Sequence, residues 1–260
     1  MFTDRERSIL KKLEMPYPAV AVKFCRNRPE GYEQAEEKDF LCCFLAKAQK
    51  ENRAFYITID NETCMGKVVM GMMGLDSAHG SNHGAGYMGK ELGAFRTAAA
   101  NARLYYEAPM IKKGLVNYVL FCPSDLCDFT PDILICVADT RSAQLLLRAS
   151  SYTSGDIWEA KGSYVMSCAW SYVYPYISGK VNHLFTGMHL GMQMKGVYPP
   201  GLHIITIPYQ KLDEIINALY DMEWVLPFVC HDEESQVKVA KMTEYVEKLR
   251  DDIEYPIPMD

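Results

Sequence analysis

Residues 39–66 read DFLCCFLAKAQKENRAFYITIDNETCMG (Asp39–Gly66). The stretch predicts a helix, a turn and a strand that runs into a cysteine–glycine loop. Asp39 is placed as an N-cap, followed by the apolar run Phe40, Leu41, Phe44 and Leu45. Cys42 and Cys43 then fall in the first helical turn, where free N–H groups and the positive end of the helix dipole favour thiolate. After the turn at Glu51–Asn52, Phe55–Asp60 has strand composition, and Cys64 follows with Gly66 two residues on. Sequential elements are usually neighbours in space, so a helix-start thiol and the loop thiol can converge. Adjacent helical residues point about 100° apart. Of the pair, Cys43 is therefore expected to serve the site and Cys42 the core. The competing reading makes all three thiols small buried hydrophobes.

Outward from this unit, the chain is ordinary for a globular protein. It has 260 residues, 49% of them hydrophobic and 23% charged, and a net charge of −6. That length supports a sizeable core without disulfide or metal staples. One domain over 1–260 is expected. No basic stripe appears, so nucleic acid is not an expected partner. No apolar run approaches the roughly 20 residues that cross a bilayer, so no membrane is expected either. The opening MFTDRERSIL is charged and lacks an apolar segment, so a cytoplasmic location is expected. In that compartment thiols stay reduced. The nine cysteines then point to buried thiols, metal ligands or redox work.

Thr3 and Glu6 have capping-box spacing, predicting a short helix to about Leu13. Strands are predicted at Ala19–Phe24, Val116–Phe121, Asp132–Ala138 and Leu202–Ile207. Val181–Gly191 is predicted to be a strand entering a loop. Helices are predicted at Lys90–Tyr105, Thr140–Tyr152, after Pro208, and from Asp232 to about Arg250. Strands and helices mix without strict alternation. The fold class expected is α+β, a mixed β-sheet with helices packed on it.

The segment after Gly66 is rich in glycine, methionine and histidine. Gly84, Gly86 and Gly89 match G-x-G-x-x-G, but no strand runs into the first glycine, as a dinucleotide site requires. A phosphate at the following helix start stays open. His79 and His83 suit a metal only on a helix, which the glycines oppose. Cys122 and Cys127 form one C-x4-C pair with no second pair, so structural zinc is not expected. Cys136 reads as core.

Several segments together resemble an uncharacterised prokaryotic family, the domain of unknown function 169, found in archaea and anaerobic bacteria. They are AVAVKF; CCFLAKAQKENRAFYITIDNETCMG; VLFCP with PDILICVADTRSAQLLLRASSYTSGD; SCAWSYVYPYISGKVN; and HIITIP. They run from about Ala19 to Pro208, which leaves a helical extension over about 209–260. The resemblance implies cysteines at Cys43, Cys64 and Cys168, hence an iron–sulfur cluster or another thiolate-bound metal. Family members often carry a further cysteine before the last strand. Here that segment reads FTGMHLGMQMKG, with Met188 and His189 instead. The metal set implied is Cys43, Cys64 and Cys168, with His189 or Cys42 as the candidate fourth ligand or with one iron left open for a small substrate; the alternative is no cluster at all.

Three functions follow as expectations. The first is a redox-associated metal protein acting with a small molecule or a redox partner protein. The second is haem binding with His183, His189 or Met188 as axial ligand. The third is a non-catalytic module using the glycine–histidine loop, with His79, His83, Gly84 and Gly86, to hold a small ligand. A homo-oligomer is compatible with each.

Overall fold

The computed structural model describes residues 2–73 and 85–249. The chain forms two compact units, Met1–Tyr220 and Asp221–Asp260. The division therefore falls after Tyr220 rather than at Pro208. Among the described residues no helix is long and apolar enough to cross a membrane.

The first unit is α+β. It is built on six strands: β1 (Val20–Cys25), β2 (Phe55–Ile57), β3 (Tyr118–Pro123), β4 (Ile133–Ala138), β5 (Asn182–Phe185) and β6 (His203–Pro208). They lie in the order β2-β3-β1-β4-β6-β5. Every ladder between them is antiparallel. Parallel pairing is confined to two isolated bridges, Gln34↔Tyr56 and Asp39↔Glu62.

The central strands are buried on both faces, which their unbroken apolar runs anticipate. Alternate residues divide between two layers. Val20, Val22, Phe121, Ile133, Ile135 and Ile204 pack with Phe44 and Leu45 of α2 (Leu41–Glu51). The same cluster takes in Ala169, Tyr172 and Val173 of a π-helix (Ala169–Val173). On the opposite layer α6 (Thr140–Ser151) packs on β4 and β6. Asp139 caps α6 by accepting from Ser142 N–H, and Ser142 Oγ donates to the Leu13 carbonyl that closes α1 (Asp4–Lys12). The capping box at Thr3 and Glu6 is present on both sides.

Three predicted elements differ. The N-cap of α2 is Phe40; Asp39 instead accepts from Phe40 N–H at 2.8 Å. The helix expected over Lys90–Tyr105 is two helices, α4 (Tyr87–Glu91) and α5 (Ala98–Glu107), separated at Gly93–Thr97. The strand expected at Val181–Gly191 stops at Phe185, and α8 (Leu190–Lys195) follows a 3-10 turn.

The second unit holds a 3-10 turn, Pro227–Val229, packed against α10 (Glu233–Leu249). α10 has no buried residue, which agrees with its charged, solvated sequence.

Candidate functional site

The loop before Cys64 is built by two buried polar side chains. Asn61 Nδ2 donates to the carbonyls of Ala35 (2.8 Å) and Glu37 (2.9 Å), and its Oδ1 accepts from Thr58 N–H (3.0 Å). Glu62 is almost wholly buried, at 1% exposure. Its Oε1 accepts from Leu41 N–H at 3.1 Å, and its Oε2 accepts from Cys64 and Lys67 N–H at 3.0 Å each. These are orphan donors at the starts of α2 and of the short α3 (Gly66–Val69). One carboxylate thus clamps the two cysteine-bearing segments together. Gly66 leaves room for it: a Cβ there would sit 3.0 Å from Glu62 Cδ and from Leu41 Cβ. Burial raises the Glu62 carboxyl above its ordinary range, and the three N–H donors oppose that rise.

A third segment, Tyr164–Tyr172, closes the site. Met166 holds a left-handed φ of +59°, and the π-helix begins directly after Cys168. Left-handed non-glycine residues and π-turns concentrate at functional sites. Asn182 of β5 anchors the segment, donating to the Trp170 carbonyl at 2.8 Å. Thr206 Oγ1 of β6 donates to the Ser171 carbonyl at 2.8 Å. The fourth wall is His189 with α8. Leu190 N–H donates to the Tyr164 carbonyl at 3.1 Å. Lys195 at the end of α8 pairs with Asp39 at 2.8 Å and lies 4.7 Å from the Phe40 ring centroid.

These walls enclose a cavity of about 420 Å³. Five methionines (Met65, Met88, Met166, Met192, Met194) and three cysteines (Cys42, Cys64, Cys168) line it, together with Phe40, Tyr105, Tyr164, Tyr172 and His189. Burial pushes the Cys64 thiol up to about 11, with the Glu62 charge adding to the effect. It holds the Cys168 thiol well above the usual range. The hydrogen bond between the neighbouring thiols raises Cys42, which burial raises further, and lowers Cys43. Of the pair, Cys43 is the one shifted towards thiolate. Burial drives the His189 imidazole down to about 4, so it is neutral at pH 7.

Of the residues read from the sequence as metal ligands, Cys64, Cys168 and His189 share this cavity. Cys43 does not line it; Cys42 does. The reason is the helical offset between neighbours: Cys42 turns towards Cys64 and Cys168, and Cys43 turns towards Asp39. Among the described residues, no three His, Cys, Asp or Glu side chains are gathered to hold a metal ion. His183 lies outside the cavity, with its Nε2 at 2.8 Å from His203 Nδ1. Met188 is half exposed and is not part of the wall. His79, His83 and Gly84 lie outside the described residues. Gly86 is the N-cap of α4 with φ +81°, and a Cβ on it would meet the Ala98 carbonyl at 1.8 Å. A Cβ on Gly89 would strike the Asn101 side chain at 2.5 Å. These two glycines serve the close approach of α4 and α5.

Glu62, Asn61 and Tyr172 were not legible as site residues. Their partners lie many positions away, and the N-E-T-C string carries no local signature of burial. Cys122 and Cys127 are both buried, their thiols donating to the Pro123 carbonyl at 3.4 Å and the Phe129 carbonyl at 3.3 Å, and Cys136 is fully buried.

The sequence profile of one family, described as "Uncharacterised ArCR", matches residues 8–218. The uncharacterised protein MJ0308 of Methanocaldococcus jannaschii is 24% identical over 219 residues, which is 83% of this chain and 92% of that protein. No solved structure matches.

Proposed function

We propose that this chain, which belongs to the family of domain of unknown function 169, binds a small and largely apolar molecule in its sulfur-lined cavity. The observation that carries the reading is the cavity itself: about 420 Å³, walled by segments far apart in the chain and lined mainly by thioether, thiol and aromatic groups. A concave apolar pocket with a few placed polar groups is the usual form of a small-molecule site. Methionine adapts to irregular ligands and contacts ring edges favourably through sulfur. The nine free thiols fit a reducing, cytoplasmic setting.

The test is titration of the full chain with N-phenyl-1-naphthylamine, an uncharged dye that brightens in apolar surroundings. Bright, saturable binding is expected. Met65→Trp, which fills the space, should abolish it while leaving the melting temperature in place. Dye binding unaffected by that substitution would overturn the reading.

A second reading is favoured by Cys42, Cys64, Cys168 and His189 lining one cavity. It is a thiolate-bound metal or iron–sulfur cluster, with an associated redox role. As arranged, these side chains are not gathered for a metal, and burial keeps Cys64 and Cys168 protonated. Loading would therefore require the thiols to converge and lose protons. Iron, sulfide and zinc analysis of oxygen-protected protein tests it. Stoichiometric metal lost in Cys42→Ala but kept in Cys43→Ala would support it; metal-free protein would sink it. Haem would find only His189, of the three histidine and methionine candidates, on the cavity wall. A Soret band on haem titration, lost in His189→Ala, is the matching test.

A further inference from the structure

Resting on the small-molecule reading above, we infer that the cavity holds a single-chain amphiphile lengthwise, its alkyl or prenyl tail inside and its polar end group at a mouth framed by Met88, Leu92 and Met194. The cavity runs from core to surface. Leu41, Val165 and Met192 line it and are only 2%, 6% and 2% exposed. Met88 of α4, Leu92 at its end and Met194 of α8 line the same cavity, yet are 42%, 54% and 60% exposed. Apolar side chains therefore continue from the buried end out to solvent. Exposed apolar groups gathered at a cavity mark a surface that a ligand covers.

That gradient of exposure selects for shape. A volume of about 420 Å³ matches roughly fourteen waters of the liquid, room for about a dozen carbon atoms. A compact ring of that size, seated among the buried residues, leaves the three outer side chains in water. An extended chain of the same size meets both ends, and each methylene it buries adds affinity. The polar terminus faces outward, because at the mouth it keeps its water and inside it loses it. Polar side chains on the wall hold bonds of their own. Glu62 accepts from three N–H groups, Ser171 Oγ donates to the Ser167 carbonyl at 2.9 Å, and Tyr164 O–H donates to Gln193 Oε1 at 2.8 Å. Methionine suits the tail, since its unbranched thioether follows a flexible chain.

The experiment displaces N-phenyl-1-naphthylamine from the full chain with 1-hexanol, 1-dodecanol and cyclododecanol. The last two share one carbon count and one hydroxyl and differ in shape. Affinity should rise about two- to fourfold per methylene from hexanol to dodecanol, and the open chain should bind about tenfold tighter than the ring. Leu92→Gln and Met194→Gln, both at exposed positions on different elements, should each weaken dodecanol severalfold and leave hexanol unchanged. Two variants cover the case in which one disturbs its helix, which the melting temperature reports. Equal affinity for 1-dodecanol and cyclododecanol would overturn the inference and leave the apolar-pocket reading standing. So would equal losses for hexanol and dodecanol in both variants, or dye that binds and yields to none of the three alcohols. Absence of dye binding as well as alcohol binding would overturn both.

Discussion

Replacing Glu62 tests the clamp that positions the cavity. In Glu62→Ala, the N–H groups of Leu41, Cys64 and Lys67 all lose their acceptor. Leu41 is 2% exposed, so water reaches its N–H poorly; the cavity can hydrate the other two in part. At about 1–3 kcal/mol per orphaned donor, reduced where water enters, the loss should total roughly 3–5 kcal/mol. Glu62→Gln is the sharper probe, because it keeps the volume and one acceptor oxygen. With that oxygen in the place of Oε2, it retains Cys64 and Lys67 and turns an –NH2 onto Leu41 N–H. The expected cost is about 2–3 kcal/mol, concentrated at the first turn of α2. Urea unfolding followed by tryptophan fluorescence measures the totals, and hydrogen exchange at Leu41 locates the loss. Gly66→Ala should move the same way on a smaller scale, since its new methyl group presses on Glu62. If both Glu62 variants stay within about 0.5 kcal/mol of the parent chain, the clamp is not a clamp. If Gln costs more than Ala, the acceptor assignment is wrong.

Further outcomes follow from other buried groups. His189 titrates near 4 in the folded chain and near its ordinary 6.5 once unfolded, so the unfolded state takes up the proton first on acidification. Stability from this group is complete above the ordinary value and is lost as pH falls towards 4, by about 3 kcal/mol across the window. Unfolding free energies of His189→Gln at pH 7 and pH 4.5, compared with those of the parent, should show a shallower acid loss; matching slopes would refute the assignment. Gly86→Ala must carry a methyl group at positive φ into the Ala98 carbonyl, so a cost of at least about 2 kcal/mol is expected from the melting transition, with looser exchange protection in α4 and α5. In native protein, iodoacetamide should label Cys43 well before Cys168, because only the former is both partly exposed and shifted towards thiolate; mass-spectrometric mapping that finds Cys168 first would reverse that order.

Much of the fold was written in local sequence. The capping box at Thr3 and Glu6, the helix α6, and strands β1, β3, β4 and β6 appear within a residue or two of where composition and turn residues put them. Each is decided by periodicity and by side chains bonding to their own backbone, which are short-range effects. The two neighbouring thiols were legible as a candidate site, and so were Cys64, Cys168 and His189 as chemistry-bearing residues. Which of Cys42 and Cys43 faces the cavity was not, because a helical rotation is fixed by what packs on the other side. Asp39 looked like the cap of α2, yet the first free N–H is taken by Glu62 from 21 positions away. The left-handed turn at Met166 and the π-helix after Cys168 have no proline or glycine to announce them.

The sequence by itself determined most of the elements, the α+β class and the family. Only the tertiary structure decided that three cysteines, a neutral histidine and a buried tyrosine line one cavity. The physical reason is range. Helices and strands are set by neighbours within a few residues, whereas burial, and with it proton affinity and hydrogen-bond satisfaction, is set by whatever the rest of the chain folds against them.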